Sequence, residues 1–161
     1  MENLTQHTQA SGPLPVSQER KINSALAELL GDVYVEAVKQ GYSHVSFAKA
    51  FLPSEICNRF FEDFSLNCQA PGYILSKFLK SNTLPIQRNK DEDEVEEAYW
   101  FGWITGHWFI DKGVTGADIA KDYDVEYICG SYEAYHTQGE LYVYNKFEQE
   151  ARLSKGLRGI M

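Results

Sequence analysis

The chain has 161 residues, of which 43% are apolar and 14% aromatic, and a formal net charge of −8. This is enough apolar material for one packed domain, and it excludes a chain disordered throughout. The acidity disfavours nonspecific nucleic-acid binding, which needs a local surplus of Lys and Arg, and it suits solubility or a basic partner.

Residues 1–17 are polar and hold two prolines, so a disordered tail is expected there. Ser17 is placed to cap a helix over 18–39, in which Ile22, Ala25, Leu26, Leu29, Leu30, Val33, Ala37 and Val38 recur at three- and four-residue spacing. Gly31 interrupts it at a cost of about 1 kcal/mol relative to alanine, and Gly41 is a natural stop. Ser43 opens a shorter helix with Val45, Ala48, Phe51 and Leu52 inward. A new helix is expected from Pro53 to about 66, with Ile56, Cys57, Phe60, Phe61 and Phe64 on its apolar face. Pro71 begins another, 71–80, and residues 81–90 read as a surface loop.

The stretch 91–111, DEDEVEEAYWFGWITGHWFID, organises the rest. Six of the seven residues from Asp91 to Glu97 are acidic, and nine of the thirteen from Ala98 to Ile110 are apolar. A helix is expected with Asp91 or Asp93 as N-cap and its acids at the positive end of the dipole. Ala98, Gly102 and Gly106 fall four apart, a small-residue stripe that lets a second helix come close. Trp100, Trp103 and Trp108 are expected to fill the core, and His107 to pack there with its ring nitrogens hydrogen-bonded. Thr115 and Asp118 form a capping box for a helix over 116–122. Asp124 caps one over 125–135. Thr137 and Glu140 suggest a second capping box, opening a last helix over about 138–152.

The fold class expected is therefore all-α. A compact bundle of about seven helices surrounds the central aromatic helix 91–111. Residues 18–155 form one domain, with candidate sub-lobes 18–80 and 91–155 joined by the loop 81–90.

Patterns that carry chemistry are sparse. Residues 115–135 have the outline of a helix–turn–helix, but the second helix carries Asp124, Glu126 and Glu133 and no Lys or Arg, so phosphates would repel it. His107, His136 and Cys129 match no zinc or di-metal spacing, and no metal or other cofactor is expected. There is no G-x-S-x-G and no glycine-rich phosphate loop. If the protein were an enzyme, Glu97, Tyr99, His107 and His136 would be the first residues to test. Cys57, Cys68 and Cys129 form no C-x-x-C pair, which suits free thiols in a reducing cytosol. The first residues have neither a basic start nor an apolar run, so no signal peptide is expected. The run 98–110 is shorter than the roughly 20 residues that span a bilayer, so neither a membrane role nor a location outside the cytoplasm is expected. Ten tyrosines is a high count for this length. Tyr127, Tyr132, Tyr135, Tyr142 and Tyr144 crowd into the last two expected helices, and tyrosine is frequent at protein interfaces.

From Glu97 to Glu148 the chain resembles small bacterial antitoxin-like families found beside toxins of ADP-ribosyltransferase type. The resemblance rests on A-Y-W-x-G-W (Ala98 to Trp103), a short helix opened by Thr115-Gly116-Ala117-Asp118-Ile119, and a tyrosine helix ending in Y-x-x-Y-H-T-Q-G (Tyr132 to Gly139). Phe51 to Cys57 and Gly72 to Leu75 are similar to the longer members. The resemblance implies a helical antitoxin that binds and neutralises a toxic enzyme, and it brings no catalytic residues. The polar N-terminal tail and the basic C-terminus depart from the pattern and leave the partner's identity open. The expected partner-binding residues are Tyr99, Tyr132, Tyr135, His136, Thr137, Gln138 and Tyr142, facing a protein partner. A mobile-element protein that blocks a host defence enzyme, and a DNA-binding repressor, are the alternatives.

Overall fold

In the computed structural model, residues 16–87 and 92–160 are described, and they form ten α-helices and no strand. These are α1 (Val16–Lys39), α2 (His44–Phe51), α3 (Glu55–Arg59), α4 (Phe64–Asn67), α5 (Pro71–Leu79), α6 (Glu92–Lys112), α7 (Gly116–Asp122), α8 (Val125–Gly130), α9 (Tyr132–Tyr135) and α10 (Glu140–Ile160). The all-α expectation is met. Ten helices replace about seven partly because the segments 53–66 and 125–135 each break in two. Asp63 turns its carboxylate onto the Ser65 N–H to start α4. Ser131 closes α8 and turns its hydroxyl back onto the Tyr127 carbonyl.

The tail expected over 1–17 lies outside the described residues except for Val16 and Ser17. These two belong to the first turn of α1, so Ser17 is inside the helix rather than at its cap. Asp91 also lies outside the described residues, as do 88–90. Asp93 is within α6. Gly41 stops α1 as expected. At φ +100° it takes a left-handed conformation open to glycine. Its N–H bonds to Val38 and that of Tyr42 to Ala37, the pairing of a Schellman cap. Tyr42 then meets Ile86 in an isolated antiparallel bridge.

Helices α1 and α6 pack along most of their lengths and form the axis of the fold. Their small residues interlock. A Cβ placed on Gly102 would stand 2.8 Å from the Gly31 Cα and the Leu30 carbonyl oxygen. One placed on Gly31 would be 2.9 Å from the Tyr99 ring and its carbonyl oxygen, and one on Gly106 would be 3.0 Å from the Ala27 Cβ. The two backbones are in van der Waals contact, which no larger side chain allows. The remaining faces of α6 bury Trp100, Phe101, Ile104 and Trp108. Tyr34, Phe47, Phe51 and Phe78 pack on one another edge to face or stacked, at centroid distances of 5.0–5.5 Å, and Tyr34 meets Phe101 at 5.2 Å. Residues from both 18–80 and 91–155 share this core.

The C-terminal end of α6 is tied to α10. The Trp108 indole N–H donates to Glu148 Oε1 at 3.2 Å, and Lys112 Nζ pairs with the same carboxylate at 3.0 Å. Tyr144 donates its hydroxyl to Asp111 and stacks on Trp108 at 6.0 Å. The LYVY stretch, 141–144, is helical. The capping box expected at Thr137 does not form: α10 starts at Glu140, and Gly139 supplies the carbonyl that accepts from Val143. The Thr115–Asp118 box does form, with both bonds present.

His44 is buried against Phe101 and Tyr34, and neither ring nitrogen has a hydrogen-bond partner among the described residues. Burial lowers its pKa from 6.5 to about 4, because the charged ring loses water.

Two outcomes follow. Gly102→Ala should destabilise the protein by about 1–3 kcal/mol in urea, since the backbone atoms it meets have nowhere to move. Gly156→Ala, with nothing within 4 Å, should stabilise by up to about 1 kcal/mol. The second outcome concerns pH. The folded state disfavours protonated His44, so its contribution is complete above pH 6.5 and is lost as pH falls toward about 4. The loss is on the order of 3 kcal/mol, and His44→Phe should flatten that part of the stability profile. Equal slopes in both proteins would rule the assignment out.

Candidate functional site: an aromatic groove between α1, α6 and α9

Once α1 and α6 lock at their glycines, the N-terminal half of α6 has a face left over. Val95, Glu96, Tyr99, Trp100 and Trp103 fall at three- and four-residue spacing and project to one side. Val35 of α1 closes one edge. Tyr132 of α9 and His136, its C-cap, close the other. Together they line an open groove of about 430 Å³ whose walls are mostly aromatic.

Hydrogen bonds and ring contacts hold the far wall. The Tyr132 hydroxyl donates to Glu96 Oε2 at 3.0 Å. The His136 ring stacks on Tyr132 at 4.2 Å with 18° between planes. His136 Nδ1 lies 2.7 Å from the Tyr132 carbonyl oxygen. A carbonyl only accepts, so Nδ1 carries the proton in this arrangement. Trp100 meets Tyr132 edge to face at 6.0 Å. It is buried beneath the groove, with its indole N–H unpartnered among the described residues.

The rim is negative. The Tyr99 pKa is raised by burial, then by the charges of Glu28 and Asp32. Tyr132 is raised by desolvation, by its bond to Glu96, and then by the charges of Glu96, Glu133 and Glu97. Asp32 is raised by burial and Glu28, and Lys39 acts in the opposite sense. Glu96 is the carboxylate among the groove's lining residues; Glu28 and Asp32 act on Tyr99, and Glu133 on Tyr132, from outside that lining.

Of the residues expected to bind a partner, Tyr99, Tyr132 and His136 converge here. Tyr135 and Tyr142 do not. Tyr135 turns toward α10, where its hydroxyl donates to Glu150 Oε1 at 2.9 Å and its ring meets Phe147 at 5.5 Å and Tyr142 at 6.5 Å. Burial and the Glu150 carboxylate push the Tyr135 hydroxyl well above its ordinary pKa. Tyr127, Phe147 and Glu150 also border a second hollow of about 410 Å³, between α8 and α10. Thr137 and Gln138 are exposed in the turn between the two features.

Trp103 is the residue that sequence reasoning missed, and Glu96, part of the acidic run 91–97, was not singled out from it. Trp103 was expected in the core but is only half-buried and forms a groove wall. Its place three residues after Trp100 and four after Tyr99 is the signal that assigns it to their face. The expectation for His107 also fails. It is half-buried, its ring meets Trp103 at 4.7 Å, and Nε2 has no hydrogen-bond partner among the described residues. It borders a third hollow with Arg20, Ser24 and Asp111, so the candidate enzyme residues His107 and His136 belong to different places.

No group of three or more His, Cys, Asp or Glu among the described residues is arranged to hold a metal ion. None of the described helices is long and apolar enough to cross a membrane. Cys57 and Cys129 have thiols pushed up to about 12 by burial, which removes the thiolate a nucleophile needs. Compared with known proteins, the chain matches no family model, no curated protein and no solved structure.

Proposed function

We propose that this is a non-enzymatic binding protein of antitoxin type, which neutralises a toxic enzyme in the cytoplasm by covering a basic cleft. The observation that carries the reading is the groove of Tyr99, Trp103, Tyr132 and His136, aromatic inside, with Glu96 in its wall and further carboxylates acting on its tyrosines. Rigid aromatic surface provides contact area at low entropic cost. The negative rim steers a positively charged partner and raises its rate of association. The antitoxin-like motifs supply the kind of partner: an enzyme with a cleft for NAD or nucleic acid, whose anionic substrate demands positive charge. An acidic protein seated there competes with the substrate.

A DNA reader finds little support in α8. That helix has six residues, buries Val125, Ile128 and Cys129, and carries Glu126 and no cation.

Co-expression with the product of the adjacent open reading frame is the test. The expected result is restored growth and a co-purifying complex. Replacing Glu96 and Glu133 together with glutamine should slow association about three- to tenfold at low salt and much less at high salt. Neither rescue nor complex would remove the antitoxin reading.

A further inference from the structure

We infer that the α1–α6–α9 groove is a receptor for an arginine side chain projecting from the partner protein. This inference rests on the binding-protein reading and names what the groove takes.

Three observations point to the ligand. First, Tyr99, Trp103 and Tyr132 surround the same space as Trp100, and aromatic faces attract a cation through their negative quadrupoles, tryptophan most strongly. Second, the carboxylates that act on these tyrosines come from three helices: Glu28 and Asp32 from α1, Glu96 from α6, and Glu133 from α9. An anionic ligand would be repelled by Glu96 in the wall and by these neighbouring carboxylates, with Lys39 acting in the opposite sense on Asp32. A neutral apolar ligand would gain nothing from the rim. Third, Glu96 is oriented from within the site: its Oε2 accepts from the Tyr132 hydroxyl, which holds the carboxylate at the groove edge.

The shape distinguishes arginine from a compact ammonium. The groove is open along one side and not closed into a cage. A planar guanidinium can stack on one indole face while its N–H fork reaches a carboxylate at the edge. A small quaternary ammonium needs rings on all sides. Openness also suits a side chain that arrives attached to a protein surface.

The probes are N-acetyl-arginine methylamide, its uncharged citrulline counterpart, and choline, titrated separately into the whole protein. The readout is the three indole N–H signals in two-dimensional NMR. Arginine amide should move the Trp103 signal, with Trp100 following, while Trp108, buried near α10, stays. Citrulline amide should produce shifts at least about fivefold weaker at equal concentration. Glu96→Gln and Trp103→Ala, each confirmed folded by a cooperative melt, should weaken the arginine response about five- to tenfold.

Equal responses to arginine and citrulline, a response to choline alone, or arginine shifts unchanged in Glu96→Gln would overturn the inference. A neutralised, co-purifying partner alongside unmoved indoles would defeat this occupant and leave the antitoxin reading standing. Arginine binding with no neutralised partner would do the reverse.

Discussion

Gly31, Gly102 and Gly106 place two long helices in backbone contact, and the groove and the core both follow from that placement. Each glycine inside a helix costs about 1 kcal/mol in propensity. That cost is tolerated because the helices approach closely enough for Gly102 to sit on the Gly31 Cα and the Leu30 carbonyl. Dispersion contacts over such an approach are individually small and collectively large. Once α6 is fixed in rotation about its axis, Trp100, Phe101, Ile104 and Trp108 are committed to the interior, and Tyr99 and Trp103 to the side that becomes the groove.

The Tyr99 ring connects the two regions. It packs over Gly31, within 2.9 Å of a Cβ there, and it also forms part of the groove wall. The helix contact and the groove therefore share this side chain. At the other end of α6, Trp108, Lys112 and Glu148 fasten α10. The chain between them, α7 to α9, brings Tyr132 back over Glu96.

Much of the helix pattern was legible in the sequence because short-range chemistry sets it. Ser43, Thr115 and Asp124 cap the helices they were expected to cap, and Gly41 stops α1. The small-residue stripe of α6 predicted a close neighbour, but its partner at Gly31 read only as a defect in α1. Propensity is a local property, whereas the reason for Gly31 lies on another helix. Thr137 misled for the opposite reason. The sequence offered a capping box, but the turn after α9 leaves Gly139 to start α10. Of the site, Tyr132 was legible in the tyrosine excess, His136 in the H-T-Q-G turn and Tyr99 in the aromatic helix. Their separation from Tyr135 and Tyr142 was not, because it depends on which way the short helix α9 turns. Glu96 was read as a helix-end charge, and only the folded chain shows it bonded to Tyr132.

The dependence of the fold on the α1–α6 contact is tested most directly by native-state hydrogen exchange. The amides of Gly31, Gly102 and Gly106 should exchange only through global unfolding, with the same free energy and denaturant dependence as unfolding measured in urea. Exchange of these amides through a smaller opening, while the Trp108 region stays protected, would contradict the placement of that contact at the centre of the fold.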